Sequence, residues 1–224
     1  MRKIFGRIRN ALLETLYPEG ALCAVCGKIS DGEYLCPACR AELRESGLLE
    51  SWETESLDGV QAWSIRPHSG AARSLVLSLK HGAEARAAEE LTALLRSRPE
   101  AFPAFPPETV VTWVPMPAGR KRERCIDHGK LLAEGAAREL GLSCRGLLIR
   151  RGNGRPQARL DRARRERNLR YAYAPAEKIA FPVLLVDDVL TTGTTARRCV
   201  AALREGGAEE IAVLTMTRAV RQAR

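Results

Sequence analysis

The stretch "PVLLVDDVLTTGTTARR", residues 182 to 198, decides the reading of the chain. An apolar run ends in two acids, and a hydroxyl-rich turn around one glycine follows. Near-continuous apolar character is the mark of a parallel strand buried on both faces. "TTARRCVAALREGGA", from 194 to 208, reads as a helix closed by glycines. This order puts Asp187 and Asp188 at the carboxyl end of a strand, where open α/β sheets bind ligands. The backbone N–H groups of Thr191, Thr192, Gly193, Thr194 and Thr195, with the helix dipole and the threonine hydroxyls, form an anion cradle. Gly193 lets the backbone approach a phosphate closely. Carboxylates repel an anion, so they need another part of the same ligand. Vicinal hydroxyls fit, and so does a hydrated divalent metal. A ribose 5-phosphate satisfies both ends.

Other anion-binding signatures are missing. No G-x-x-x-x-G-K-[ST] run is present, and no G-x-G-x-x-G. Receiver domains also carry acids after a strand, but most of their fold follows those acids. Only 36 residues follow Asp188 here.

Upstream, "TVVTWVPMP" at 109 to 117 is a β-branched strand. "VQAWSIR" (60 to 66), "RGLLIR" (145 to 150) and "EIAVLTMTR" (210 to 218) read as further strands. "SGAARSLVLSLKHG", "AEARAAEELTALLRSR" and "GKLLAEGAARELG" read as helices. "RPEAFPAFPPE", with four prolines, is a loop. Strands alternating with helices imply a parallel α/β sheet.

The amino-terminal part has a different grammar. Residues 2 to 16 place Ile4, Phe5, Ile8, Leu12, Leu13 and Leu16 near one helical face, a helix expected to pack on its own protein, with docking to a membrane or nucleic acid as the alternative. Then Cys23, Cys26, Cys36 and Cys39 form C-x2-C-x9-C-x2-C. Two knuckles supply four thiolates, the closed tetrahedral set of structural zinc (Zn2+). An iron site or a redox pair is the alternative. The segment is too short to fold on its own core, so the metal acts as a staple. Cys125, Cys144 and Cys199 have no metal spacing. The expected division is 1–45, an amino-terminal helix with the four-cysteine segment, and 46–224, the α/β domain.

Composition sets outer bounds. With 224 residues and 45% apolar content, the chain can bury an ordinary core. No apolar run approaches the ~20 residues that span a bilayer, and the basic start lacks the pattern of a signal peptide. A cytoplasmic protein is expected. The formal charge of +9 rests mainly on arginine, which suits phosphate or reflects a genome-wide bias.

Taken together, "VLLVDDVLTTGTT", the four-cysteine knuckles, "SLKHG" at 78 to 82 and "RPQARLDRARRERN" at 155 to 168 resemble the ComF family of competence-associated, phosphoribosyltransferase-like bacterial proteins. The resemblance covers nearly the whole chain. It implies a type I phosphoribosyltransferase fold, a parallel sheet flanked by helices with a mobile hood. It implies phosphoribosyl pyrophosphate with magnesium (Mg2+) as ligand, transferase activity, and a link to DNA uptake or use. On this resemblance Asp187 and Asp188 bind the ribose diol, and residues 191–195 bind the 5-phosphate. Arg120, in "PMPAGR" at 115 to 120, meets the diphosphate. Lys80, Gln157, Arg165 and Asn168 match recurrent positions. The chain departs from the family's R-G-F-N-Q run, with Arg124, Cys125, Ile126, Asp127 and His128 instead. If that loop holds the acceptor, substrate choice differs here.

From Arg145 to Arg170 there are ten arginines against two acids, Asp161 and Glu166. The run reads as a hood over the diphosphate, a single-stranded DNA contact, or a solvated face. Tyr171 and Tyr173 could stack a base, although packing in a strand is the commoner role. Other competence proteins and a second copy of the chain are further expected partners. A non-catalytic DNA-handling or regulatory module on the same fold is the second functional reading. His68, His81 and His128 read as structural or surface residues, and no catalytic base stands out.

Overall fold

The computed structural model describes residues 21–45, 55–82, 84–97, 103–116, 126–151 and 172–219. The helix expected at 2–16 lies outside them. So do Arg120, Arg124, Cys125, Gln157, Arg165, Asn168 and most of the arginine run. The chain divides into two compact units, Met1–Ser46 and Gly47–Arg224.

In the first unit, two turns and one helix, α1 (Pro37–Glu45), surround the cysteines. Gly27 N–H donates to the Cys23 carbonyl at 2.9 Å, and the Cys23 N–H donates to the Lys28 carbonyl at 2.7 Å. Gly27 has φ +70°, as the tight turn after the first knuckle demands. Pro37 opens α1, where its missing N–H costs nothing. Cys39 and Leu43 form the buried side of this helix.

The second unit is built on a six-stranded sheet ordered β1-β2-β8-β7-β3-β4. Its strands are β1 (Glu55–Leu57), β2 (Val60–Pro67), β3 (Val110–Trp113), β4 (Ser143–Cys144), β7 (Val183–Leu190) and β8 (Ile211–Arg218). Every pairing is parallel except the β1–β2 hairpin. A separate antiparallel pair joins β5 (Leu148–Arg150) to β6 (Tyr173–Pro175). The expected α/β architecture with a mostly parallel sheet is therefore observed. Within "RGLLIR", Leu148–Arg150 forms the expected short strand, which pairs with β6 outside the six-stranded sheet.

Helices cover both faces of β7. On one side Val183 and Leu185 join Ala196, Cys199, Val200 and Leu203 of α5 (Thr194–Glu205) in one buried cluster. On the other, α4 (His128–Leu140) packs on β3 and β7. α4 also packs on α3 (Ala85–Thr92) at a close crossing. There, a Cβ on Gly135 would sit 2.6 Å from Thr92 Oγ1, so only glycine allows the approach. The segment read as one helix over 69–82 is α2 (Gly70–Leu77) followed by a π-helical turn, Ser78–Gly82. Among the described residues, no helix is long and apolar enough to cross a membrane.

Candidate functional site

The edge of the sheet creates the site. β7 pairs with β3 only as far as Val186 opposite Trp113. On its other side it continues with β8 to Leu190 opposite Arg218. The strand is thus longer than its apolar run, because β8 remains available as a hydrogen-bond partner. Asp187 and Asp188 lie within the strand, just past the end of β3, where among the described residues no strand pairs with them on that side.

Three elements converge on Asp188, which is buried. The π-helical turn presents Lys80, whose Nζ donates to Asp188 Oδ1 at 2.8 Å. Such turns are frequent at functional sites. Its neighbour Leu79 is buried and anchors the turn. The start of α4 presents His128, with Nε2 3.2 Å from Asp188 Oδ2. α4 can begin there because Asp127 caps it, accepting from the Lys130 N–H at 3.2 Å. Gly129 lets it lie close to β3, since a Cβ there would be 3.2 Å from the Val114 carbonyl. The third element, β8, holds the backbone: Thr217 Oγ1 donates to the Asp188 carbonyl at 3.2 Å, and His68 Nδ1 lies 2.9 Å from the same hydroxyl. With the Thr217 proton committed to that carbonyl, His68 must donate from Nδ1. Burial and the Lys80 charge lower the His68 pKa, so the ring is the neutral Nδ1–H tautomer.

The two acids differ. Successive side chains of a strand point to opposite faces. Asp188 meets Lys80 and His128, whereas Asp187 lies on the side of α5. There, burial and then the Asp187 charge raise the Cys199 thiol. Burial and the adjacent Asp188 charge push the Asp187 carboxyl up to about 7. Its Oδ1 accepts the Asp188 N–H at 2.9 Å. Burial also works to raise Asp188, but the hydrogen bond from His128 and the charge of Lys80 hold it below the ordinary carboxylate range. One acid is a fixed anion and the other exchanges its proton near neutrality.

The turn after β7 leads directly into α5. Gly193 adopts φ +71° as the residue capping α5, and no side chain caps that helix. Thr191, Thr192, Thr194 and Thr195 are exposed. Thr192 and Thr194 share a hydroxyl–hydroxyl hydrogen bond of 2.9 Å.

Sequence reasoning missed His128 and His68. His128 had a signal, since it occupies the segment where the chain departs from the resembled family's pattern. Tyr173, read as a stacking platform or as packing, is buried, and its hydroxyl accepts from Arg150 Nη1 at 3.0 Å. It serves packing. Of the arginine run, Arg145 pairs with Glu177 at 3.4 Å, and Arg150 lies over the Tyr173 ring.

In the first unit, the four sulfur atoms of Cys23, Cys26, Cys36 and Cys39 lie within 4.8 Å of one another. Cys26 Sγ and Cys36 Sγ are 3.7 Å apart. A tetrahedron with metal–sulfur bonds of ~2.3 Å has edges of ~3.8 Å, so the set fits zinc. Burial opposes ionisation of Cys23, but the backbone N–H groups of Cys26, Cys36 and Val25 outweigh it and lower the thiol to about 6. Among the described residues, no other three His, Cys, Asp or Glu ligand atoms converge this way. In the acid pair, both Asp188 oxygens meet side chains of the protein, Lys80 and His128, and Asp187 lies on the other face.

No protein-family model and no curated protein sequence matches the chain. Solved structures do. The chain is 26% identical to an allosteric regulatory enzyme of purine biosynthesis over 63% of its length, with a TM-score of 0.43. It is also 26% identical to the glutamine phosphoribosylpyrophosphate amidotransferase from B. subtilis, over 63% of its length and with a TM-score of 0.45. Each match spans only 30% of those longer chains. Orotate phosphoribosyltransferase from Mycobacterium tuberculosis is 15% identical over 80% of this chain and 96% of that one, with a TM-score of 0.36.

Proposed function

We propose that the α/β unit binds phosphoribosyl pyrophosphate and transfers its phosphoribosyl group, as the resemblance to the ComF family implies. The observation that carries this reading is the pairing of one buried, ionised carboxylate, Asp188, with an uncapped glycine turn in the same strand–turn–helix. Each carboxylate oxygen has two lone-pair sites. Asp188 can therefore keep Lys80 and His128 and still accept the two hydroxyls of a ribose diol. The 191–195 turn takes the 5-phosphate. Asp187 accepts the Asp188 N–H and so fixes the direction of the backbone under the diol.

In the transfer, the acceptor's lone pair forms a bond to C1 of the ribose. The bond from C1 to the diphosphate oxygen breaks, and its electron pair leaves with the diphosphate. Positioning and charge stabilisation supply most of the rate for such an oxocarbenium-like step. Magnesium, brought with the ligand's own diphosphate, would supply charge neutralisation at the leaving group. Arg120 belongs to the segment expected to meet that diphosphate. The four cysteines hold a structural zinc. The competence link, the cytoplasmic location, contact of the arginine run with single-stranded DNA, and association with other competence proteins or a second copy belong to the same reading.

Calorimetry with phosphoribosyl pyrophosphate and magnesium tests binding. Pyrophosphate release in a screen of bases, nucleosides and amines tests transfer. Absence of binding to the wild-type protein would sink the proposal. Binding without release from any acceptor would favour the second reading, a sensor or DNA-handling module. One observation supports that alternative: both oxygens of Asp188 already have partners in the protein.

A further inference from the structure

We infer that Arg197, anchored by Asp58 in the β1–β2 turn, is a positioning residue that shapes the 191–195 turn for a phosphate. The inference rests on the phosphate reading of that turn. Arg197 Nη1 donates to the Thr192 carbonyl at 2.7 Å, and its Nε donates to Asp58 Oδ1 at 3.2 Å. The Arg197 backbone N–H donates to the Gly193 carbonyl at 2.9 Å. One residue thus holds two successive carbonyls of the turn.

Carbonyl oxygens facing an anion repel it, so a phosphate turn works only if its N–H groups point at the ligand and its carbonyls are engaged elsewhere. Arg197 does the second job for Thr192. Asp58 is itself fixed. Its carbonyl lies 3.4 Å from both Nη atoms of Arg204, and its backbone has φ +53°, in the left-handed region. The preceding residue, Leu57, is buried against the turn: a Cβ on Gly193 would come within 2.7 Å of Leu57 Cδ2 and 2.9 Å of Arg197 Nη1. The glycine turn is wedged between the β1–β2 hairpin and Arg197. Leu57 is the last residue of β1, a strand of only three residues at the sheet edge.

The alternative role for Arg197 is a cation aimed at the phosphate. The two roles predict opposite signs for one variant. Removing the acid in Asp58→Asn strengthens phosphate binding if charge alone matters. It weakens binding if Asp58 holds Arg197 in place. Lysine retains charge but cannot bridge two acceptors from a planar fork. Calorimetry on the full chain with ribose 5-phosphate, and with ribose as the phosphate-free control, reads this directly. Arg197→Lys and Asp58→Asn should each bind ribose 5-phosphate about tenfold more weakly, the loss expected for one charge-assisted hydrogen bond. Tighter binding by Asp58→Asn, or wild-type affinity of Arg197→Lys, would overturn the inference. Amide hydrogen exchange without ligand gives the second readout. Both variants should speed exchange in residues 192–196 and leave β7 unchanged. Unchanged exchange at the turn would overturn the bracing role. If wild type binds neither ribose 5-phosphate nor inorganic phosphate, the phosphate reading fails, while the exchange data still decide whether Arg197 braces the turn.

Discussion

Among the described residues, the four-cysteine unit buries Tyr34, Leu35 and Leu43 beside Cys23, Cys36 and Cys39. The α/β unit buries whole strands, with Leu184, Leu185, Val186 and Val213 each essentially inaccessible. Covering both faces of β7 removes large apolar areas from water, at about 25 cal/mol per Å². The described part of the cysteine unit buries far fewer apolar side chains and is organised around one centre. One region thus gathers four possible metal ligands that are near in sequence. The other is held by packing between distant segments, and it alone can offer a rigid strand end for a ligand.

The sharpest test of this contrast is metal removal. Structural zinc sites are worth on the order of 10 kcal/mol of folding free energy. Chelation, or Cys36→Ser, should release one zinc per chain and abolish amide protection in residues 21–45. The melting of the α/β unit should stay where it was. Elemental analysis and hydrogen exchange check both halves. Iron alone in the purified protein, or an unchanged amino-terminal exchange pattern after chelation, would break the contrast.

Within the α/β unit the two acids should separate. Asp188→Asn leaves Lys80 and His128 facing an uncharged group. Breaking a buried pair costs about 3–5 kcal/mol; the partly exposed Lys80 reduces this to roughly 2. Ribose 5-phosphate affinity should also fall by about two decades, from the loss of charged hydrogen bonds to the diol. Asp187→Asn removes a repelling neighbour and should leave the melting temperature unchanged or raised at neutral pH. Equal behaviour of the two variants would refute the assignment to opposite faces.

The pH dependence gives the same contrast with opposite signs. Asp188 has a lowered folded pKa, so its contribution is present above the ordinary carboxylate range and is lost as pH falls through the folded value. Asp187 is raised to about 7, so its contribution is fully present below the unfolded value of ~4 and is lost as pH rises towards 7. The stability of Asp187→Asn relative to wild type should therefore increase from pH 4 to pH 7. Urea titrations at the two values measure it. A flat difference would mean that Asp187 ionises like a surface carboxylate.

How much of this was legible depends on range. The apolar run before Asp187, the helix after Gly193 and the spacing of the four cysteines are local patterns, and each was readable. The final length of β7 was not, because it is set by pairing with β8, a distant segment in the chain. Lys80 was readable only as a recurrent position, because its role needs a π-helical turn that no periodicity announces. His128 reaches Asp188 from the start of α4, and His68, just after β2, reaches the Thr217 hydroxyl that bonds the Asp188 carbonyl. Sequence gave no register between those ends. The brace by Asp58 was hidden in an acidic stretch whose polar character gave no reason to assign a strand.

Two glycines offer the smallest and most direct comparison between the units. Gly27 has φ +70° and open space around its missing Cβ. Gly135 shows no positive φ, but a Cβ there would lie 2.6 Å from Thr92 Oγ1 and 3.1 Å from Thr92 Cβ. Alanine at 27 therefore meets only backbone strain, about 1–2 kcal/mol. Alanine at 135 gains about 0.8–1 kcal/mol of helix propensity and meets overpacking of about 1–3 kcal/mol. The clash wins, because Thr92 Oγ1 at 2.6 Å and Cγ2 at 2.9 Å both crowd that position, and turning the β-branched side chain only exchanges one for the other. Gly135→Ala should lower stability by about 1 kcal/mol, and Thr92→Ala in the same chain should recover most of it. No change at Thr92 can rescue Gly27→Ala, whose cost is conformational. Denaturant midpoints of the three variants and the double variant measure both claims. A stabilised Gly135→Ala would show that α3 and α4 have room to part, and that the α/β unit is less tightly packed than its buried strands imply.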